Sequence, residues 1–281
     1  MNKKGKSHFT ATILAAITMA IASSSAIAKT VEVPLPGPGA FTTIIINQYW
    51  PLPVGATFTY MAETEDGCEY NKLTVTSDTY EIDIDGAIYT TLIVRDQEWE
   101  SEDCDVATAT LAEDTHDYYA MDSDDNVWYF GEETWSLDEE SEYCTDDGAW
   151  EAGVEDAEAG TVMLGSPKSG DRYRQEYWED EAEDWGAVLR LNAKVSIDYL
   201  DSEFEGCLMT REWTPLEPGE IEHKFYCPEN GNPGPGLMFI EELRGKTVYV
   251  EYVGPGPVGA PGEFLAFPAL DDVGSCTMPA E

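Results

Sequence analysis

The chain has 281 residues, of which 56 are Asp or Glu and 15 are Lys or Arg, for a formal net charge of −41. A charge of that sign and size repels nucleic acid and anionic membrane surfaces, so neither is expected as a partner. Aromatic residues make up 11% of the chain, and its apolar residues are patterned, which separates it from acidic disordered sequences.

The N-terminus carries Lys3, Lys4 and Lys6, then an apolar stretch from Phe9 to Ala22, then Ala26-Ile27-Ala28. This order predicts a signal peptide over residues 1–28, cut after Ala28. The apolar stretch, diluted by Thr10, Thr12 and Thr18, is short for the roughly 30 Å of a bilayer core. No later run of that length follows, so no membrane insertion is expected. The reading puts the mature protein in a periplasm or outside the cell.

Residues 29–56 form a Pro/Gly-rich lead-in, with Pro34 to Gly39 as an extended spacer. A β domain is expected over residues 57–253. Phe58, Tyr60 and Ala62 alternate with polar residues, as do Leu73 and Val75, and Tyr80, Ile82 and Ile84. Such period-two runs mark half-buried strands. Asp66-Gly67 and Asp85-Gly86 fall between them as hairpin turns. Tyr118 to Met121 and Val127 to Phe130 flank the loop Asp122 to Asn126.

Residues 137–159 are an acidic, weakly patterned stretch that could divide the domain into two halves. Beyond it, strands are predicted over Tyr173 to Trp178, Val188 to Tyr199, Leu208 to Trp213, Ile221 to Tyr226, Leu237 to Leu243 and Thr247 to Val253. A short helical turn is expected over Glu179 to Trp185, and a loop over Pro228 to Gly236. Residues 254–281 are a Gly/Pro linker and C-terminal tail. The fold class is all-β: a curled antiparallel sheet, open barrel or sandwich, meander-like and disulfide-bonded.

Six cysteines, Cys68, Cys104, Cys144, Cys207, Cys227 and Cys276, read as disulfides in an exported chain. One pair follows from register. A hairpin about Pro215 to Gly219 sets Met209 across from Phe225 and Cys207 across from Cys227, within cross-strand disulfide reach. The same register opposes Glu212 and Glu222, an unfavourable like-charge pair, and sets Arg211 across from His223. The other four cysteines are left unpaired by this reasoning.

Catalytic motifs are absent. Past the signal segment the histidines are His116 and His223, and both read as structural. Neither a nucleophile elbow nor a phosphate-binding loop occurs. Carboxylate pairs of the kind a hydrolase uses arise by chance among so many acids. The sharpest constellation is Asp122-x-Asp124-x-Asn126, whose alternate oxygens suit a divalent cation such as calcium. A polar hairpin turn explains the same residues. Trp128, Tyr129, Phe130, Trp135, Trp150, Tyr173, Tyr177, Trp178 and Trp185 crowd the middle of the chain, as core or as the concave wall of a site for a small apolar ligand. The expectation is a non-catalytic binding or structural protein with calcium at acidic loops. The alternatives are an apolar-ligand carrier and an unrecognised carboxylate hydrolase.

Asn126-Val127-Trp128-Tyr129-Phe130-Gly131-Glu132, Trp150-Glu151-Ala152-Gly153, Gly170 to Tyr177, Ala182-Glu183-Asp184 and Glu212 to Gly219 together resemble a family of secreted bacterial all-β proteins of unestablished function. The resemblance spans roughly residues 48–253. It implies the fold class and export, and it brings no catalytic or binding residues with it.

Overall fold

A computed structural model of the protein describes residues 29–138, 143–146, 148–229, 232–244 and 246–254, with Leu265 and Phe267. The expected signal peptide, most of the Gly/Pro linker and tail, Cys276 and the side chain of Cys144 lie outside the described residues. Apart from two three-residue 3-10 turns, the regular structure among them is all strand.

The strands are β1 (Lys29–Thr30), β2 (Ile45–Ile46), β3 (Pro51–Leu52), β4 (Thr57–Glu63), β5 (Cys68–Ile84), β6 (Ala87–Ser101), β7 (Thr110–Met121), β8 (Val127–Asp138) and β9 (Tyr143–Thr145). They continue as β10 (Trp150–Glu151), β11 (Glu158–Met163), β12 (Asp171–Arg174), β13 (Glu176–Tyr177), β14 (Trp185–Ile197), β15 (Ser202–Trp213), β16 (Glu222–Glu229), β17 (Asn232–Arg244) and β18 (Lys246–Tyr252).

Two antiparallel meanders, β4 to β8 and β14 to β18, share one large sheet because β18 pairs with β4. β1 adds to β12 in parallel, so the sheet is mixed. Toward its two ends β11 pairs with β8, and β12 pairs with β14. A single extended segment reaches both. Its first half, β12, pairs with β14, and its second half, β13, pairs with β11. The sheet curls into an open barrel whose hydrogen-bond ladder is not closed. At that crossing Gly160 packs so tightly that an added Cβ would lie 2.2 Å from the Gln175 carbonyl oxygen.

Turn chemistry decided where the strands reverse. Asp85 and Gly86 take φ of 53° and 82°, the conformation that a two-residue hairpin requires, and they join Ile84 to its partner Ala87. The hairpin of β15 and β16 has the register read from the sequence: Met209 opposes Phe225, Arg211 opposes His223, and Glu212 opposes Glu222. Cys207 and Cys227 are disulfide-bonded, as expected. A second disulfide joins Cys68 to Cys104, a pair the sequence did not assign.

Two local expectations are corrected. Glu179 to Trp185 is a reverse turn closed by a bridge between Trp178 and Ala182, not a helical turn, and Trp185 already begins β14. The Pro228 to Gly236 loop is largely strand: Cys227 opposes Gly236 and Glu229 opposes Asn232, so the hairpin of β16 and β17 runs on through it.

The lead-in does more than space the chain. Ile45 and Leu52 are buried, and Phe41 meets Tyr89, Trp128 and Phe130 edge-on. A smaller cluster lies across one rung of the sheet, where Met61, Tyr70, Trp99 and Leu111 stand opposite one another in turn. Leu265 and Phe267 from the tail cover it. Buried side chains of this size contribute roughly 1.5–3 kcal/mol each, which is what holds this part of the tail to the domain.

Candidate functional site

The side chains of that rung and those next to it point to opposite faces of the sheet, because successive strand residues alternate. Where Trp99 faces the tail, its neighbours Glu98 and Glu100 line a cavity of about 470 Å³ inside the curl of the sheet. Eleven carboxyl side chains line that cavity, against one ammonium, that of Lys224. The interior is therefore rich in acids, set among the aliphatic side chains of Leu73, Val162, Leu237, Ile240 and Val250.

Lys224 shows how this interior holds a cation. Its Nζ lies 3.1 Å from Glu212 and 3.1 Å from Glu222. The like-charge pair that counted against the hairpin register is thus resolved by an ammonium from the next rung. Burial alone would lower the Lys224 pKa, but Glu212 and Glu222 outweigh it and hold it well above the usual lysine range. Glu212 is further fixed by the hydroxyls of Thr210 and Tyr226, which donate to its Oε1 at 2.7 and 3.1 Å.

Among the described residues the opposite wall has no such cation. Burial, with Glu98 nearby, pushes the Asp96 carboxyl up to about 8, although Asn71 donates to its Oδ1 at 2.7 Å. Burial also raises Glu176 to about 8, helped by Asp184 and Glu132, and Glu132 to about 7. Asp117 is pushed well up by burial and by the charges of Asp96 and Glu132. The hydroxyl of Tyr129 reaches Asp117 Oδ1 at 2.8 Å and also Glu132 Oε2. A phenol brings one proton, so two carboxyls on one hydroxyl need a further proton, or a cation, between them.

Aromatic rings stand beside these acids. Tyr119 stacks on Tyr129 with centroids 4.9 Å apart, and Trp50 meets Tyr119 edge-on at 5.0 Å. Trp50, Tyr119 and Tyr129 all line the cavity. Of the aromatic residues that the sequence singled out, Trp128, Phe130, Trp150 and Tyr173 are buried in the core. Tyr129 is the one of that set on the cavity wall. The concave face thus combines acidic, aromatic and aliphatic side chains.

The loop from Asp122 to Asn126 lies apart from this cavity. Asp122 is 3% exposed. Its Oδ1 accepts from the backbone N–H of Asp124 and of Asn126, and its Oδ2 accepts from Asn126 Nδ2 and Trp128 Nε1. Asn126 Oδ1 accepts from Gly165 N, and Asn47 Nδ2 donates to the carbonyl of Asp125. Asp124 is exposed. The carboxylate of Asp122 is saturated by donors, which favours its role as the closing acceptor of the turn. Among the described residues no three His, Cys, Asp or Glu side chains are gathered as a metal site.

The sequence carried a signal for the cavity that composition hid. Asp96, Glu98 and Glu100 alternate with Gln97, Trp99 and Ser101. This is a stripe of acids at strand period on the face opposite a large aromatic. In so acidic a chain the stripe reads as a solvated face.

No protein-family model matches the chain, and no curated protein matches it. Among solved structures, an exported protein of Bacteroides fragilis with a YmcC-like fold is similar over 73% of this chain and 96% of that one. The identity is 13% and the TM-score 0.37. A likeness that weak carries no inference about this chain. Among the described residues no helix is long and apolar enough to cross a membrane.

Proposed function

We propose that this is a non-catalytic exported binding protein whose barrel interior takes a small organic cation, an amine or ammonium compound. The observation that carries the reading is the charge imbalance of the cavity, with eleven carboxyl groups against one ammonium. Buried carboxylates are costly unless a positive group pairs with them. Lys224 pairs with two of them, and a bound cation would take the place of the protons that burial makes Asp96, Asp117, Glu132 and Glu176 hold. Trp50, Tyr119 and Tyr129 line the same cavity, and aromatic rings attract alkylammonium groups. The volume suits such a ligand, since small-molecule sites run from roughly 300 to 1,000 Å³. An apolar ligand would strip water from the acids without pairing with them.

The test is calorimetric titration of the oxidised protein with putrescine, spermidine and choline, at ionic strength matched with sodium chloride. Calcium and magnesium serve as parallel arms. Saturable binding of one amine, lost in Glu132→Gln/Glu176→Gln, is the expected result. Ligand at about 100 times its dissociation constant would stabilise the fold by roughly 2.7 kcal/mol. Equal small responses to amines and to sodium would reduce the effect to screening and end the proposal. A response to calcium alone, abolished in Asp124→Asn, would return the function to the acidic loop.

A further inference from the structure

The outer face of β12, β14 and β15 carries a second constellation of opposite sign. On one rung Arg172, Ala187 and Arg211 stand in a row across three strands, and on the next rung Arg174, Trp185 and Trp213 do the same. The guanidinium of Arg172 lies 4.3 Å from the ring centre of Trp185 and 4.9 Å from that of Trp213. Arg211 lies 5.1 Å from Trp213 as well. Arg174 stacks on Tyr177 at 4.0 Å and pairs with Glu158 at 3.6 Å. Arg172 and Arg211 form no ion pair among the described residues, in a chain with 56 acids. Arg172 Nε is moreover buried without a hydrogen-bond partner.

We infer that Arg172 and Arg211 form an oxyanion site, floored by Ala187, for a phosphoryl or sulfuryl group. Stacking on an indole fixes a guanidinium in plane and leaves its edge N–H donors free for oxygens. Ala187, between the two arginines on that rung, offers only a methyl group. A carboxylate presents both oxygens in one direction and suits a single guanidinium fork. A tetrahedral oxyanion presents oxygens on all sides and can bridge two guanidiniums that approach from different strands. The net charge of the protein opposes any diffuse gathering of anions, so a saturable anion response would report a built site.

The experiment follows tryptophan fluorescence and calorimetric heat as inorganic phosphate, inorganic sulfate, phenyl phosphate and acetate are added, at ionic strength matched with chloride. Saturable binding of phosphate and sulfate is expected, with acetate at least tenfold weaker. Phenyl phosphate separates a free anion from an ester: tighter binding than inorganic phosphate means that the indoles also hold the esterified group. Arg172→Gln/Arg211→Gln should lose at least tenfold in affinity. Ala187→Leu, which adds bulk between the two arginines and keeps both, should do the same even if the double variant fails to fold. The inference is overturned if phosphate acts no differently from chloride, if acetate binds as well as phosphate, or if Ala187→Leu binds like the parent protein.

Discussion

The ammonium of Lys224 lies 3.1 Å from the carboxylate of Glu212, a group 8% exposed, inside the curl of the sheet. The pair sits on neighbouring strands, and Glu222 completes it at 3.1 Å. Removing one member of a buried ion pair costs about 3–5 kcal/mol, because the other charge is left without compensation. Lys224 keeps 25% of its side-chain surface accessible, so water in the cavity offsets part of that cost. Lys224→Met should lower unfolding free energy by about 2–3 kcal/mol. Equal stability of variant and parent at pH 8 in urea melts would refute this.

Stability of the parent protein should also depend on pH with an unusual sign. Asp96, Glu132 and Glu176 hold their protons up to about pH 8, 7 and 8 in the folded chain, whereas unfolded carboxyls release theirs near about pH 4. Between those limits the folded state binds more protons than the unfolded state, so stability falls as pH rises. Each group contributes at most about 1.4 kcal/mol per pH unit, reduced by cavity water. The melting temperature should therefore rise on going from pH 8 to pH 5. Asp96→Asn/Glu132→Gln/Glu176→Gln should flatten that rise, and a profile identical to the parent's would show that these groups titrate normally.

Asp122 accepts four hydrogen bonds from its own turn and from Trp128. Hydrogen bonds to a charged group contribute about 1.5–3 kcal/mol, and a buried donor left alone costs about 1–3 kcal/mol. Asp122→Ala should therefore destabilise by about 3 kcal/mol or more. Asp124→Asn, at an exposed position, should change stability by less than about 0.5 kcal/mol. Thermal melts of both variants, in EDTA and in calcium, distinguish a turn from a cation site. Loss of a calcium-specific stabilisation in Asp124→Asn would contradict the turn.

The disulfide from Cys68 to Cys104 closes a separation of 36 residues. Its removal in Cys68→Ala/Cys104→Ala should cost about 3–4 kcal/mol through the entropy returned to the unfolded chain. The same bridge ties down the edge of the cluster that Phe267 covers. Phe267→Ala should cost about 2 kcal/mol and make the fluorescence of Trp99 more accessible to iodide. Unchanged quenching would mean that the tail contact does not persist in solution.

Read alone, the sequence determined many of the strands, several of the turns and one complete hairpin, but it did not locate β6 or β11. Period-two alternation located β4 and much of β5, Asp85-Gly86 demanded its turn, and the register about Pro215 to Gly219 brought Cys207 to Cys227. These are local matters, decided by dihedral preference and by which residues can stand opposite one another. The character of the interior was decided only by the tertiary structure. Alternation identifies two faces of a strand and assumes that the polar one meets bulk water. Once the sheet curls, one face meets a half-open cavity instead, and Asp96, Glu98 and Glu100 become part of the wall of a site. In the same way Lys224 resolves the opposed Glu212 and Glu222, and Phe267 covers Trp99 from far along the chain. Neither contact is local, so neither leaves a periodic trace in the sequence.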